Sequence, residues 1–302
     1  FDPGLTNQYG GELRRAIEKD GSFNVRRRGG VNANFYLFLI DTTWPKFVAV
    51  VAGAYLMVNL LFAALFVAVG TQHLAGVNTN TGVGPFESAF FFSVQTLTTV
   101  GYGSVYPVGM AANSIAAIEA MTGLMGFALA TGLLYGRFSR PSAKIAFSDV
   151  MIVAPYQDGT SLQFRIANQR DNVLLELEAN VLMMYVDKTE GEARRKFAGL
   201  NLERSSVYFF PLTWTVVHPI TADSPIYGKS AADLAEMQAE FLILIKAFDD
   251  TFSQTVHARY SYRHGEVEWG ARFQPAFFVD GTGDMVLELN RLHDRKLVEP
   301  SS

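Results

Sequence analysis

Gln95-Thr-Leu-Thr-Thr-Val-Gly-Tyr-Gly-Ser-Val-Tyr-Pro107 runs from hydroxyl-bearing residues into Gly101-Tyr102-Gly103, with apolar sequence on both sides. Upstream, Phe47 to Val69 carries no Asp, Glu, Lys or Arg, and it exceeds the roughly 20 apolar residues that cross a bilayer. Downstream, Ala111 to Tyr135 is interrupted only by Glu119. A soluble core helix of such length shows a polar face, so both runs read as membrane spans. Between them, Phe86-Glu-Ser-Ala-Phe-Phe-Phe-Ser-Val-Gln-Thr-Leu97 fits a short helix. At roughly 1.5 Å per residue it reaches about halfway through the hydrocarbon layer. Backbone leaving a helix inside a membrane must be enclosed by protein or line a wet cavity. Thr99 to Gly103 is that backbone.

The remaining charge pattern divides the chain. It has 302 residues, 49% of them hydrophobic and 18% charged, with a formal net charge of -4 and no cysteine. Without Cys there are no disulfides, thiolate metal sites or Cys nucleophiles. The small negative charge gives no footprint for nucleic acid. From Trp44 to Gly136 the only charged side chains are Lys46, Glu87 and Glu119, which implies a membrane part and an aqueous part. Arg26, Arg27 and Arg28 precede the first span, and Arg137, Arg140 and Lys144 follow the second. No Lys or Arg lies between Gly70 and Met110, so both termini are expected in the cytoplasm, with the spans in the cell inner membrane. Phe1 in place of an initiator Met, with no signal-peptide pattern, predicts a trimmed chain. His73, His218, His257, His264 and His293 show no metal-ligand spacing, and no nucleophile motif or phosphate loop stands out. The expectation is a protein that is not an enzyme and carries no cofactor.

Four regions follow. Residues 1–33 read as a cytoplasmic N-terminal segment. Residues 34–44 read as a short helix at the membrane interface, with Trp44 and Pro45 at the bend into the first span; the alternative is the start of a longer span. Residues 45–138 form an all-α, two-span domain containing the re-entrant helix 86–97. From 139 to 302 alternating runs appear, such as Ser161 to Ala167, Leu174 to Leu182, Phe241 to Ile245 and Val256 to Tyr262, separated by turn signals. With one helix at Ser230 to Met237, N-capped by Ser230, this predicts an all-β sandwich.

The chemistry resides at Thr99-Val-Gly-Tyr-Gly103. Glycines at alternate positions, Gly101 and Gly103, let successive carbonyls turn toward one axis. Stacked rings of such oxygens can replace the hydration shell of a potassium ion. Thr99 can add a hydroxyl ring, while Val100 and Tyr102 would point away and brace the wall. K+ would bind at Thr99, Val100, Gly101 and Tyr102, and closing the rings requires four identical chains.

This pattern resembles the potassium-channel signature, and the resemblance extends along the chain. Arg165-Ile-Ala-Asn-Gln-Arg170, Ser224-Pro-Ile-Tyr-Gly228, His257-Ala-Arg-Tyr-Ser-Tyr262 and Glu266-Val-Glu-Trp-Gly270 are similar to motifs of inward-rectifier potassium channels. Leu212-Thr-Trp-Thr-Val-Val-His-Pro219 resembles the prokaryotic (KirBac-type) branch. The resemblance implies a homotetramer, an interfacial slide helix and an immunoglobulin-like cytoplasmic vestibule that extends the pore.

It also assigns expectations residue by residue. Tyr135 and Phe127 match positions where bulky side chains narrow the inner mouth, the alternative being helix-packing aromatics. Strongly rectifying relatives carry an acid at the position of Phe127 to hold Mg2+ or polyamines, so strong rectification by such block is put in doubt. Arg137, Arg140 and Lys144 match a zone that binds anionic lipids, or serve only to set topology. Glu266 matches an acid that lines the vestibule and would concentrate cations; the alternative is a solvated strand-end glutamate. Glu119 is either an acidic group of the pore or a structural hydrogen-bonding partner of the re-entrant helix. Gating would pass from the cytoplasmic domain through Ser139 to Lys144 and the interfacial helix. Two other readings compete: a membrane-anchored β-sandwich binding protein, which leaves Thr99 to Gly103 unexplained, and another two-span cation channel. The nucleotide- or Ca2+-gated form of the latter calls for a Rossmann-like domain, and no Gly-x-Gly-x-x-Gly follows the second span.

Overall fold

Phe47 to Val69 has no charge to satisfy and is apolar apart from Asn59, and it lies within one unbroken helix. The computed structural model describes residues 4–6, 8, 10–11, 14–26, 29, 35–77, 82–139, 143–188 and 193–298. The chain divides into two compact units: residues Gly29–Arg140, and residues Phe1–Arg28 together with Pro141–Ser302.

The first unit is all-α apart from one two-stranded ladder. Helix α1 covers Phe35–Asp41, α2 Trp44–Val69, α3 Pro85–Leu97 and α4 Met110–Phe138. Helices α2 and α4, of 26 and 29 residues, are long and apolar enough to cross a membrane. The interfacial helix is shorter than the expected 34–44. It stops at Asp41, and Trp44 opens α2 with Pro45 in its first turn, where a missing N–H costs nothing. The re-entrant helix begins one residue early, at Pro85, for the same reason. Phe62, Ala63 and Phe66 of α2 close over Ala89 and Phe92 of α3, with the Phe66 and Phe92 rings edge to face at 5.0 Å. Residues three and four apart share one helix face, which is why these positions meet. Behind α3, Leu74–Ala75 pairs antiparallel with Tyr106–Pro107 and ties together the two ends of the inter-span segment.

The second unit is a sandwich of two five-stranded sheets. In one, the strand order is Gln254–Arg263, Glu240–Asp249, Leu174–Asp187 and Arg194–Gly199, with Ser206–Phe209 also on Leu174–Asp187. In the other, Val267–Trp269, Met151–Tyr156, Gly159–Asn168 and Ile145–Phe147 lie in sequence, with Thr213–Pro219 also on Gly159–Asn168. Pairing is antiparallel except between Val267–Trp269 and Met151–Tyr156. Inward residues alternate with outward ones, so Phe164, Ile166, Trp214 and Val216 of one sheet meet Leu177, Val181, Phe241, Ile243 and Tyr262 of the other. The short helix Ala231–Glu236 carries the expected Ser230 cap, completed by Asp233 as a reciprocal capping box.

Among the described residues of 1–33, those from 14 to 26 pack on the β unit. Ile17 bridges Phe23 and packs on Met184, Val186 and Leu242 of the sandwich. The buried Glu240 carboxylate accepts the Ala16 N–H at 2.9 Å, and Ser261 Oγ donates to the Ile17 carbonyl at 2.7 Å. Residues 14–25 thus form a strap packed on the β unit through Ile17 and held by side-chain hydrogen bonds. Its few apolar residues hide this in the sequence.

Candidate functional site

The backbone after α3 has an alternating handedness. Thr99, Gly101 and Gly103 stand at φ of 59°, 52° and 78°, while Val100 and Tyr102 keep negative φ. In a strand successive carbonyls point to opposite sides; alternating left- and right-handed residues turn each peptide back, so that consecutive carbonyls share one side. Glycine adopts the left-handed region freely. Thr99 does so at about 1–2 kcal/mol, a strained conformation that sequence reasoning did not anticipate.

The first three amides of this segment turn back to α3, and its oxygens do not. Thr99 N–H donates to the Thr96 carbonyl at 3.0 Å, and Val100 and Gly101 both donate to the Gln95 carbonyl, at 3.0 and 3.2 Å. Among the described residues, no backbone N–H reaches the carbonyls of Thr99, Val100, Gly101 or Tyr102. These residues are exposed in the single chain, so the oxygens are open to a partner from outside it. The C-terminal end of α3 adjoins them and adds the negative pole of its dipole, which favours a cation. One chain therefore presents a row of four oxygens suited to a dehydrated monovalent cation. Val100 and Tyr102 are exposed within the single chain.

Glu119 does not stand in an aqueous path. It is fully buried, as are Asn59 and Ser93, and the three side chains come from α4, α2 and α3. Ser93 Oγ donates to Glu119 Oε1 and lies 3.2 Å from both Asn59 oxygens, while the Asn59 amide donates to the Tyr55 carbonyl at 2.8 Å. Of the two expectations for Glu119, the geometry corresponds to the structural one. Asn59 and Ser93 were missed; the available signal was an amide inside an uncharged span, which needs an interhelical partner.

Phe127 and Tyr135 are both 74% exposed on α4, whose buried side chains are Ala112 and Glu119. Arg137, expected in a lipid-binding zone, has partners within the chain. Its guanidinium donates to the carbonyls of Leu39 at 2.5 Å, Ile40 at 2.9 Å and Thr42 at 2.7 Å. It also lies over the rings of Trp44 and Phe47, at 4.6 and 4.7 Å. These are the unpaired carbonyls at the end of α1, which a planar cation satisfies well. Arg140 lies outside the described residues, and Lys144 is exposed.

Glu266 is likewise not a free carboxylate. It pairs with Arg15 and, at 3.0 Å, with Lys19, and accepts the Arg263 N–H at 2.9 Å. Burial pushes its carboxyl up, but the Arg263 amide, Lys19 and Arg15 more than offset this and hold it below the usual range. The cation-concentrating charge expected there is offset within the chain by two basic residues that reach it from the N-terminal strap.

Comparison with known proteins agrees with this architecture. Residues 145–302 match the family described as inward rectifier potassium channel C-terminal domain, and residues 47–140 match the family described as ion channel. The chain is 37% identical to the inward rectifier potassium channel Kirbac3.1 of Paramagnetospirillum magnetotacticum over 93% of its length and 95% of the relative's. It is 27% identical to the ATP-sensitive inward rectifier potassium channel 14 of Mus musculus over 89% of this chain and 67% of that one. The Homo sapiens counterpart is also 27% identical, over 89% and 66%.

Proposed function

The chain belongs to the inward rectifier potassium channel family, and on that premise we propose that four copies surround one ion path lined by the carbonyls of Thr99, Val100, Gly101 and Tyr102. The chain is an inward-rectifier potassium channel: a passive conductor, not an enzyme. The observation that carries the filter assignment is the alternation of left-handed residues at 99, 101 and 103, with no backbone N–H of the described residues on the four carbonyls. One chain supplies one side of each ring, so a closed cyclic assembly completes it. Conduction needs no resident cofactor; K+ is the cargo.

The inner gate is formed by Tyr135, with Phe127 above it. Both side chains stand out from α4, and four such rings close a path by dewetting. With Phe127 in place of an acid, block by Mg2+ or polyamines is weak. Anionic lipid acts at the exposed Lys144, at about 1 kcal/mol per cation near the leaflet, and at Arg140. The protein sits in the cell inner membrane with both termini in the cytoplasm. Support for this comes from residues Phe1–Arg28 packing with Pro141–Ser302 as one unit, as expected when both ends of the chain lie on one face of the bilayer.

The test is cation flux into liposomes holding purified protein. Rubidium should enter and sodium should not. Equal uptake of the two would overturn the filter assignment, and a monomer in crosslinking would overturn the assembly.

A further inference from the structure

We propose that Glu119 is a positioning residue for the filter, holding α3 through the Ser93 hydroxyl and so setting where the carbonyls of Thr99 to Tyr102 stand. The inference rests on reading those carbonyls as the ion site.

A carboxyl group inside a transmembrane helix is costly wherever it sits. Glu119 is fully buried, one of its oxygens meets Ser93, and the other has no hydrogen-bond partner. An apolar residue would fill the space without that penalty, so packing alone does not account for the acid. Its one hydrogen bond goes to the helix that delivers the filter.

The contact continues one turn further along both helices. A Cβ placed on Gly123 would lie 1.9 Å from the Leu97 carbonyl oxygen. The backbone of α4 therefore meets the last turn of α3 with no room for a side chain. Ser93 and Leu97 are one turn apart on α3, and Glu119 and Gly123 are one turn apart on α4. The two helices touch at two successive turns in matched register, one contact polar and one backbone to backbone.

Between Ser93 and Leu97 lies Gln95, whose carbonyl holds the amides of Val100 and Gly101. A shift of this turn of α3 moves Gln95 O, and with it the two peptides whose carbonyls line the path. Asn59 of α2 backs the same hydroxyl from the other side, so Ser93 is fixed between both spans. Helix α4 also carries Tyr135, so the residue that orients the filter and the inner gate share one rigid element.

Full-length wild type, Glu119→Gln, Glu119→Val and Ser93→Ala are compared in liposomes by the ratio of rubidium to sodium uptake, with assembly checked by crosslinking. Ser93→Ala and Glu119→Val should lower the ratio about tenfold, the upper end for one lost buried hydrogen bond, and Glu119→Gln, which keeps an acceptor, should stay within about twofold. A role in folding alone would lower the yield of assembled channel and leave the ratio of what assembles unchanged. A wild-type ratio in assembled Ser93→Ala overturns the proposal, as does a Glu119→Gln ratio as low as that of Ser93→Ala. If Glu119→Val does not assemble, Ser93→Ala and Glu119→Gln decide. A wild type that takes up both ions equally overturns the filter assignment instead, so the two failures are distinct.

Discussion

The Gln95 carbonyl accepts the Gly101 amide at 3.2 Å while Gly101 stands at φ 52°. The left-handed turn is what brings that amide back to α3 and leaves the Gly101 carbonyl on the opposite side. A Cβ built at Gly101 meets no atom within 4 Å in the chain, so substitution there acts through backbone conformation, not through a clash.

Gly101→Ala should therefore abolish selective rubidium uptake while leaving the β unit folded. The left-handed penalty is about 1–2 kcal/mol, enough to shift the population of the peptide orientation by roughly 5- to 30-fold. Flux and circular dichroism on the same preparation check both halves. Selective uptake by the variant would show that the alternation is not required.

Arg137 spans three carbonyls at the end of α1, and its loss leaves them unpaired. Arg137→Ala should destabilise the first unit by roughly 2 kcal/mol, seen as a lower melting temperature of the solubilised channel. Its response to anionic lipid should be retained, because Lys144 supplies an exposed charge. An unchanged melting temperature with a lost lipid response would return Arg137 to a lipid-binding role.

The N-terminal strap should detach in acid. The folded-state pKa of Glu266 lies below its ordinary value, so its contribution is complete above the unfolded carboxylate pKa of about 4.3 and is lost as pH falls through the folded one. Glu240 has the opposite sign, since burial raises it despite hydrogen bonds from Ser261, Ala16 and Ile17. Hydrogen-exchange protection of residues 14–25, corrected for intrinsic rates, should fall below pH 4, and less so in Glu266→Gln. A steeper loss in Glu266→Gln would refute the assignment.

His218 is buried between two loops, with Nδ1 2.7 Å from the Asn201 carbonyl and Nε2 2.8 Å from Ser224 Oγ. Burial pushes its pKa down, partly opposed by the Asn201 carbonyl. The neutral form is the folded one, so its stabilisation is present above about pH 6.5 and is lost as pH falls toward the folded-state pKa. Melting temperature measured from pH 7.5 to 5.5 should decline in wild type and flatten in His218→Gln. Parallel declines would place the acid sensitivity elsewhere.

Much of this protein was legible in its residues. Charge depletion over Trp44 to Gly136, the half-length helix before Thr99 and the alternation from Gly159 onward reflect local rules of solvation and period. Those rules act on a few neighbouring residues and survive in any context, so they located the two long apolar helices and the β unit and pointed to Thr99 to Gly103 as the candidate filter. The comparisons with known channels support the family on the same residues.

Side-chain assignments depended on contacts that sequence separation conceals. Arg137 and Glu266 are a cation and an anion whose partners lie 98 and 251 positions away, at Leu39 and Arg15. A charge in a sequence looks free until folding brings its partner, and here folding gave both residues partners within the chain. Glu119 was ambiguous for the same reason: only the meeting of α2, α3 and α4 shows that it faces Ser93. The sequence by itself determined which backbone could coordinate an ion, because that follows from glycine, threonine and the medium. Only the tertiary structure decided which charges remain available, because pairing is a property of proximity in space.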